Sequence, residues 1–424
     1  MPHRSLCVIG VAADGWPGLA EPVRRRILDA EVVLGGDRHL ALLPPATDQI
    51  RRPWPQPLRA GLPDLLAEFD DRHVVVLASG DPFVSGIGTT LRDLGVDFDT
   101  IPALSSVALA RARMRWSAEE TEVVSVVGRP LARVLAALAP GRRILVLSAD
   151  ERTPAELAAL LVAHGHGDAE LTVLGELGAD SESRCTSTAA TWPTEQVVPR
   201  LNLVAVQVPA HPANGSGSAS GPGAASGSWT AGLPDDAFEH DGQLTKRDLR
   251  ASALARLAPR PGELLWDVGA GAGSIGVEWM RAHPSCRAIA IEGHPDRAAR
   301  IARNAERLGV PNLQVVTGRA PDALTGLAQP DAIFIGGGAT VPGVIDAALA
   351  ALAPGGRLVV HGVTLETEMR LGECYRQFGG ELTRISVETA APIGTFTGWT
   401  PARAVTQWFH TKTDPTHTSE GESA

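Results

Sequence analysis

The sequence has few cysteines, and their spacing excludes two kinds of site. The four cysteines stand far apart and form no C-x-x-C pair: they are Cys7, Cys185, Cys286 and Cys374. Scattered cysteines of this kind are typical of reduced, structural residues, and they exclude a disulfide framework and a cysteine-based zinc site. We therefore expect a cytoplasmic protein with free thiols.

The sequence also lacks long apolar runs and an excess of positive charge. No stretch approaches the roughly 20 apolar residues that a membrane span requires, and glycine ends the apolar start of the chain too early for a signal peptide. The formal net charge is -10, which disfavours nucleic acid and acidic membranes as partners. Only two of the 38 basic residues are lysines, Lys246 and Lys412. An acidic ligand would therefore be bound mostly by arginine.

A chain of 424 residues is too long for one ordinary core, so we expect more than one domain. Over 211–228, 16 of 18 residues are Gly, Ser, Ala or Pro, a composition that behaves as a flexible coil. We predict an N-terminal domain over 1–209, a flexible linker over 210–233, a C-terminal domain over 234–411 and a disordered tail over 412–424.

Both domains alternate short β-branched runs with amphipathic segments, which is typical of α/β folds. In the C-terminal domain five such runs, beginning with LLWDVGA at 264–270, are separated by helical segments. Two later runs, at 383–388 and 404–410, follow one another without a predicted helix. This pattern predicts a mostly parallel, Rossmann-like sheet of seven strands with an antiparallel end. In the N-terminal domain, proline and glycine residues interrupt the strand and helix pattern about halfway along. This predicts two α/β lobes that divide near 116–122.

A glycine-rich turn follows the first strand of the C-terminal domain, in LLWDVGAGAGSIGVEW at 264–279. A strand that ends in glycines and opens a helix lets a ligand approach free backbone N–H groups. GAGSIG at 271–276 matches the G-x-G-x-x-G pattern of nicotinamide dinucleotide sites, so an NAD-dependent oxidoreductase is one interpretation.

Two acids favour a different ligand for this turn. Asp267, near the end of the first strand, would repel a pyrophosphate but can receive an ammonium group directly or through water. Glu292, at the end of the next strand, can accept both hydroxyls of a ribose. S-adenosylmethionine (SAM) has a ribose, a sulfonium and an ammonium group, and no phosphate. TGRAPDAL (317–324) would flank its adenine, and PDAIFIGG (330–337) would open toward the methyl acceptor.

The run GQLTKRDLRASALARLAPRPGELLWDVGAGAGSIGVEW resembles the start of the decarboxylating precorrin methyltransferases of the cobalamin pathway, the CbiT type. These proteins have a T-K-x-x-x-R segment ahead of D-x-G-A-G-x-G, and the resemblance continues through GRAP and IFIGGG over nearly all of 240–410. The predicted SAM contacts in this domain are Thr245, Asp267, Gly269, Ala270, Gly271, Ala272, Gly273, Glu292, Gly318 and Ala320. The candidate substrate contacts are Lys246, Arg247, Arg250 and Arg319.

In the N-terminal domain, Gly-Asp-Pro after a buried strand forms a tight turn that can hold a polar ligand, and a Ser-Ser pair before a helix offers N-caps. VIGVAADGWPGL, VVLGGDRHLALLP, ASGDP and IPALSS occur in this order. Together they resemble the tetrapyrrole methylases of the CbiE type, which hold SAM in the cleft between two α/β lobes. The SAM contacts that this resemblance implies are Gly10, Gly80, Asp81, Pro82, Ser105 and Ser106. Val84 and Ser85 stand where aromatic residues are common in that family.

A fusion of these two families implies a bifunctional methyltransferase with one SAM site per domain. The resemblance implies methylation of a reduced tetrapyrrole, precorrin-6B, at carbons 5 and 15, with loss of carbon dioxide from the ring C acetate to give precorrin-8. Relatives of both domains self-associate, which implies a homo-oligomer. We expect no metal and no covalent nucleophile, because electron-rich acceptor carbons need alignment with the sulfonium methyl more than a strong base. In a further interpretation, the N-terminal domain holds substrate without catalysing a step.

Overall fold

The computed structural model describes residues 5–45, 48–193, 195–210 and 230–413. The chain divides into two compact units, one of Met1–Arg129 with Pro140–Gly215 and one of Pro130–Ala139 with Ser216–Ala424. Most of the predicted linker, and the predicted tail from residue 414 onward, lie outside the described residues. At the end of the linker prediction, Leu233 is described and is buried. None of the described helices has the length and apolarity that crossing a bilayer requires.

The first unit is built from two sheets. Its strands are β1 (Ser5–Val11), β2 (Val32–Gly35), β3 (Ile50–Pro53), β4 (His73–Ser79), β5 (Asp99–Ile101), β6 (Thr121–Ser125), β7 (Arg143–Leu147), β8 (Glu170–Gly175), β9 (Ser183–Thr188) and β10 (Asn202–Gln207). Its α-helices are α1 (Gly15–Gly18), α2 (Glu21–Leu28), α3 (Asp37–Ala41), α4 (Leu58–Ala67), α5 (Ile87–Asp93), α6 (Ser106–Met114) and α7 (Thr153–Ala163). The sheet orders are β3-β2-β4-β1-β5 and β6-β7-β10-β8-β9.

The first sheet is parallel throughout, whereas in the second only β6 and β7 run parallel. The predicted division into two α/β lobes is therefore confirmed, and it falls between α6 and β6. Strands β1 and β4 are apolar along almost their whole length because a parallel sheet is covered on both faces. Strands β3, β5 and β9 were not predicted, since each is short or polar and only partly buried.

Within the described residues the second unit has nine strands, seven of which form one sheet. Its strands are β11 (Leu264–Val268), β12 (Arg287–Glu292), β13 (Gln314–Thr317), β14 (Ala332–Ile335), β15 (Arg357–Gly362), β16 (Glu381–Ile385), β17 (Glu388–Ile393), β18 (Phe396–Pro401) and β19 (Val405–Thr411). Its α-helices are α8 (Arg247–Leu257), α9 (Ser274–Ala282), α10 (Pro295–Arg307), α11 (Val344–Ala351) and α12 (Leu365–Phe378). The strand order is β13-β12-β11-β14-β15-β19-β16.

This sheet confirms the predicted fold class. Strand β19 is antiparallel to both of its neighbours, and the other pairings are parallel. The strand order reverses beside β11, which is the position where open α/β sheets bind ligands, outside the carboxyl ends of the strands. The connection between β16 and β19 forms a separate hairpin of β17 and β18. The hairpin exposes Phe396 and Trp399 to 79% and 70% of their surfaces.

Candidate functional site

The glycine turn after β11 is closely packed on both sides. Gly269, Gly271 and Gly273 have φ values of +69°, +59° and +75°, which favour glycine. A Cβ atom on Gly269 would lie 2.9 Å from the backbone nitrogen of Gly337, and one on Gly271 would lie 2.9 Å from the carbonyl oxygen of Gln243. The turn therefore sits between the glycines that follow β14 and the segment that precedes α8.

Glu292 closes this turn from the neighbouring strand. Its Oε2 accepts a hydrogen bond from the Gly271 N–H at 2.8 Å, and its Oε1 accepts one from the His294 N–H at 2.9 Å. The residue is buried at the carboxyl end of β12. A carboxylate has about four acceptor positions, so these two bonds leave acceptor capacity for the hydroxyls of a ligand.

Asp267 is the second-last residue of β11, just before the turn, and is only 1% exposed. Its Oδ2 accepts a hydrogen bond from the Gly276 N–H at 3.0 Å, which joins β11 to α9. Burial raises the pKa of Asp267 from 3.8 to about 7, and the nearby Glu292 carboxylate acts in the same direction. A cation bound nearby would favour the ionised form and lower this pKa.

The other predicted SAM contacts of the second unit gather around the same turn. The Gly318 N–H donates to the backbone carbonyl of Glu292 at 3.0 Å, so the GRAP segment adjoins the end of β12. The Ala270 N–H donates to the Ile291 carbonyl at 3.1 Å, and the Ala272 carbonyl accepts from Asn304 Nδ2 at 2.9 Å. Ala320 and Thr245 lie in the two flanking segments.

Arg250 has an environment that differs from the one a substrate contact requires. It is 0% exposed, and its guanidinium donates to Glu278 Oε1 and to the carbonyls of Leu233 and Thr245. Its guanidinium carbon also lies 4.8 Å from the ring centroid of Phe238. The predicted substrate contact needs an accessible guanidinium, so this prediction is corrected: Arg250 fixes the 230–245 segment beside the glycine turn.

Glu278, the partner of Arg250, was not predicted from the sequence. It is buried on α9, and besides pairing with Arg250 it accepts hydrogen bonds from the N–H groups of Gly232 and Leu233, at 2.6 and 3.0 Å. The chain entering the second unit is therefore fixed by a buried ion pair close to the predicted SAM contact Thr245. The role of Glu278 is to hold this entering segment in position.

The remaining basic candidates differ in their surroundings. Lys246 Nζ lies 3.4 Å from Asp235 Oδ2. Arg247 is exposed at the first position of α8. The side-chain stem of Arg319 packs on Gly293, where a Cβ atom would lie 2.9 Å from the Arg319 Cγ.

A cavity of about 310 Å³ lies beside Lys246 and Arg247. Its lining residues come from the segment before α8, from the first turn of α8 and from the base of the β17–β18 hairpin: they are Asp235, Lys246, Arg247, Asp248, Leu249, Val387, Thr389, Ala402 and Arg403. Since β16 ends and β19 begins at the carboxyl edge of the parallel strands, the cavity lies on the ligand-binding edge. Arg403 is exposed and was not predicted, because nothing in its Pro- and Thr-rich surroundings indicates a binding residue.

The predicted residues of the first unit also meet at one sheet edge. A Cβ atom on Gly10 would lie 2.5 Å from the Ala103 nitrogen and would overlap the Gly80 carbonyl oxygen. Gly80 has φ +56°, and its N–H donates to the Val11 carbonyl at 2.9 Å. The ends of β1, β4 and β5 therefore converge where glycine is required.

Asp81 and the serine pair flank this convergence. Asp81 Oδ1 accepts a hydrogen bond from the Phe83 N–H at 2.8 Å across the buried Pro82, which forms the predicted tight turn. Ser105 caps α6, because its Oγ accepts from the Ala108 N–H at 3.2 Å, and Ser106 is the first residue of that helix. A Cβ atom on Gly80 would lie 3.2 Å from the Ser105 Cα, so the turn and the helix start are adjacent.

Comparison with known proteins gives matches in both units. Residues 5–198 match the family model of tetrapyrrole (corrin/porphyrin) methylases, and residues 236–412 match the model of the precorrin methyltransferase domain. The precorrin-6Y C(5,15)-methyltransferase [decarboxylating] of Sinorhizobium sp is 48% identical over 409 residues, which are 96% of each chain. The protein of the same name from Mycobacterium tuberculosis (strain CDC 1551 / Oshkosh) is 43% identical over 411 residues, covering 96% of this chain and 100% of the relative.

Among solved structures, the C-terminal domain of precorrin-6Y C5,15-methyltransferase from Rhodobacter capsulatus is 45% identical. It covers 44% of this chain and 100% of that chain, with a TM-score of 0.42.

Proposed function

The chain belongs to the family of decarboxylating precorrin-6Y C(5,15)-methyltransferases, and we propose that it methylates a precorrin at carbons 5 and 15 and removes one carboxyl group as carbon dioxide. The observation that carries this proposal is the 48% identity across both units. In each unit, the predicted SAM contacts lie together at one edge of a sheet, which agrees with this proposal. The reaction belongs to cobalamin biosynthesis, and its product would be precorrin-8.

The residues of the second unit fit SAM. Glu292 is a buried carboxylate whose oxygens bond to backbone N–H groups and keep further acceptor capacity, which suits the two ribose hydroxyls. Asp267 adds a second acid close to the turn; it is 1% exposed, so its ionised form would attract the ammonium group and repel a pyrophosphate through its charge and not by direct contact. Asp267 therefore disfavours the oxidoreductase interpretation, whereas Glu292 suits the ribose of either ligand.

The residues of the first unit fit a second SAM molecule. Gly10 and Gly80 let the ends of β1 and β4 and the segment after β5 pack closely, which brings the backbone groups of the predicted contacts together at one edge. Asp81 and the start of α6 provide polar groups beside it. In the alternative, this unit holds the tetrapyrrole without transferring a methyl group. Substituting Asp81→Ala distinguishes the two, because only a catalytic unit would lose methylation at carbon 5.

SAM supplies an electrophilic methyl group when it is bound. The chain's own residues then have to orient the acceptor carbon and exclude water. A Cβ atom on Gly337 would meet nothing within 4 Å, so the backbone beside the glycine turn is open at this residue. Methyl transfer needs no strong base from the residues of the turn or the cavity, because the acceptor carbons are enamine-like.

The cavity beside α8 is where we propose that the tetrapyrrole's acidic side chains bind. Lys246 and Arg247 come from one side, and Arg403 comes from the hairpin side. No carboxylate pairs with Arg247 or Arg403 within the described residues. Arginine binds carboxylates with two parallel hydrogen bonds, so an acetate or propionate group would complete this site.

The two units would divide the chemistry. We assign methylation of carbon 15 and decarboxylation to the second unit, and methylation of carbon 5 to the first. In support, a relative from Pyrobaculum calidifontis named a probable cobalt-precorrin-6B C(15)-methyltransferase (decarboxylating) is 35% identical over 183 residues, 93% of its length. In the decarboxylation, the bond from the acetate methylene to the carboxylate breaks, its electron pair enters the conjugated ring system, and a proton restores the methyl group. Self-association of the chain is a further part of the proposal.

Titration calorimetry of the full chain tests the cofactor assignment. We expect SAM to bind with two sites per chain and NADH to give no heat of binding. Glu292→Ala should remove one SAM site, and Asp81→Ala should weaken the other. Binding of NADH instead of SAM would contradict the proposal.

A further inference from the structure

Three polar residues form a cluster at the carboxyl edge of the first sheet, next to the proposed SAM turn. Arg38 and His39 lie in α3, directly after β2, and Ser79 ends β4. Arg38 Nη2 lies 2.8 Å from His39 Nε2 and 3.2 Å from Ser79 Oγ, and Ser79 Oγ lies 3.1 Å from His39 Nε2. None of the three has a role in the site described above.

The hydrogen bonds determine the state of His39. Arginine can only donate, so His39 Nε2 accepts from Arg38 and the ring proton is on Nδ1. That Nδ1 is buried and has no hydrogen-bond partner within the described residues. The residue is 8% exposed, and burial, together with the Arg38 charge, lowers the pKa of His39 to about 4. His39 is therefore a neutral acceptor at neutral pH, and its main contact holds the Arg38 guanidinium.

Arg38 is an oriented cation without an ion pair. Among residues 5–45, 48–193, 195–210 and 230–413, no carboxylate lies within ion-pair distance of it. Burial lowers the pKa of Arg38, and the charge of Glu176 acts in the opposite direction. Two neutral acceptors thus hold a guanidinium whose charge is not neutralised by contact. Arg38 is exposed, so a carboxylate ligand can reach this oriented guanidinium from solvent and form a charge-assisted pair with it.

The position of this cation indicates its ligand. Ser79 is followed directly by Gly80 and Asp81, which we assign to the SAM site of the first unit. We propose that Arg38 binds a carboxylate side chain of the tetrapyrrole during methylation at carbon 5, and that His39 and Ser79 are positioning residues for its guanidinium. This inference rests on the proposed function and adds a substrate contact to it. The ligand class is an acetate or propionate group on the edge of a reduced tetrapyrrole.

Steady-state kinetics of carbon 5 methylation by the full chain tests the assignment, with the product followed by mass. Arg38→Gln should raise KM for the precorrin about tenfold, the loss typical of a charge-assisted hydrogen bond, with little change in kcat or in SAM affinity. Arg38→Lys should recover part of the affinity. Arg184→Gln is the matched control, because Arg184 is an exposed arginine on edge strand β9, and it should behave as wild type.

The role of His39 is tested by two substitutions with opposite expectations. His39→Gln keeps an acceptor for Arg38 and should stay within about threefold of wild type, whereas His39→Leu removes the acceptor and should raise KM about as much as Arg38→Gln. An unchanged KM in Arg38→Gln, with active wild-type enzyme, would overturn the inference and leave the proposed function intact. Wild-type chain that binds SAM but converts no precorrin would overturn both.

Discussion

The Glu292 carboxylate accepts a hydrogen bond from the backbone N–H of Gly271, 21 residues earlier in the chain, at 2.8 Å. This bond joins the end of β12 to the turn that follows β11, so the acid and the glycines form one site. Because Glu292 also accepts from the His294 N–H, its two oxygens are fixed before any ligand arrives. Preorganised acceptors of this kind lower the cost of binding.

Replacing Glu292 should remove the SAM site of the second unit. We expect Glu292→Ala to weaken SAM binding there by at least tenfold, because the ribose loses its acceptor and the turn loses its closing bond. Calorimetry of the full chain measures this. Glu306→Gln is the control, since Glu306 is an exposed glutamate of α10. Equal loss in both variants would contradict the role of Glu292.

Adding a methyl group to Gly271 should disrupt the same site sterically. Gly271→Ala combines a φ of +59° with a contact of 2.9 Å to the Gln243 carbonyl oxygen, so the segment before α8 must move. We expect at least a tenfold loss of SAM affinity. Gly355→Ala is a matched control, because Gly355 has φ +72° but its Cβ atom would meet nothing within 4 Å. Both substitutions should lower stability by about 1–2 kcal/mol because of the left-handed backbone. Only Gly271→Ala should reduce the affinity for SAM.

The raised pKa of Asp267 predicts two effects of pH. The folded-state pKa of about 7 lies above the ordinary 3.8, so the folded state binds more protons between these values. The second unit should therefore lose stability as pH rises from about 4 to 7, and Asp267→Asn should reduce that loss. Thermal unfolding across this range measures the slope.

Binding of SAM should also release a proton near pH 6, because its ammonium group favours the ionised form of Asp267. Calorimetry in buffers with different ionisation enthalpies measures the number of protons released. We expect the release to disappear in Asp267→Asn. Unchanged release in that variant would show that another group titrates.

Breaking the Arg250–Glu278 pair should act on stability. Arg250→Ala leaves Glu278 buried without its cation, which costs about 3–5 kcal/mol in comparable pairs. Thermal unfolding of the full chain should show a lower transition for the second unit. Arg260→Ala, at an exposed position, should leave it unchanged. An unchanged unfolding transition in Arg250→Ala would contradict this account.

At the cavity beside α8, removing a positive charge and removing a negative charge should change KM in opposite directions. Arg403→Gln should raise KM for the precorrin about tenfold by removing a carboxylate partner. Asp248 lines the same cavity, so Asp248→Asn should lower KM because a repelling charge is lost. Steady-state kinetics measures both changes. Arg376→Gln, on an exposed residue near the end of α12, should have no effect; the same direction of change for Arg403 and Asp248 would contradict carboxylate binding.

The sheet of the second unit could be predicted because its central strands are buried on both faces, so their apolar runs are nearly continuous. The β17–β18 hairpin could not, because its side chains are mostly exposed and its sequence includes Pro392, Gly394 and Gly398. Its strands are joined by the two-residue turn Gly394-Thr395, but they lack the apolar alternation that would distinguish them from a loop.

The meeting of the glycine turn with Glu292 could be predicted from the sequence, whereas the environment of the basic candidates could not. Glycines and acids next to strand ends are local signals, and Gly271 and Glu292 meet where strand order requires. The environment of Arg250 depends on Glu278, 28 residues away on another helix, and a motif does not specify burial. The surroundings of Arg38 and Arg403 depend in the same way on contacts made by the fold, so the sequence alone did not single out either residue.

The most direct test of the account is the mass of the tetrapyrrole that the full chain forms from precorrin-6B and SAM. We predict a gain of two methyl groups with loss of one carbon dioxide for wild type. Glu292→Ala should give one methyl group with the carboxyl group retained, and Asp81→Ala should give one methyl group with carbon dioxide lost. A product of Glu292→Ala that has lost carbon dioxide, or a wild-type product without added methyl groups, would contradict the account.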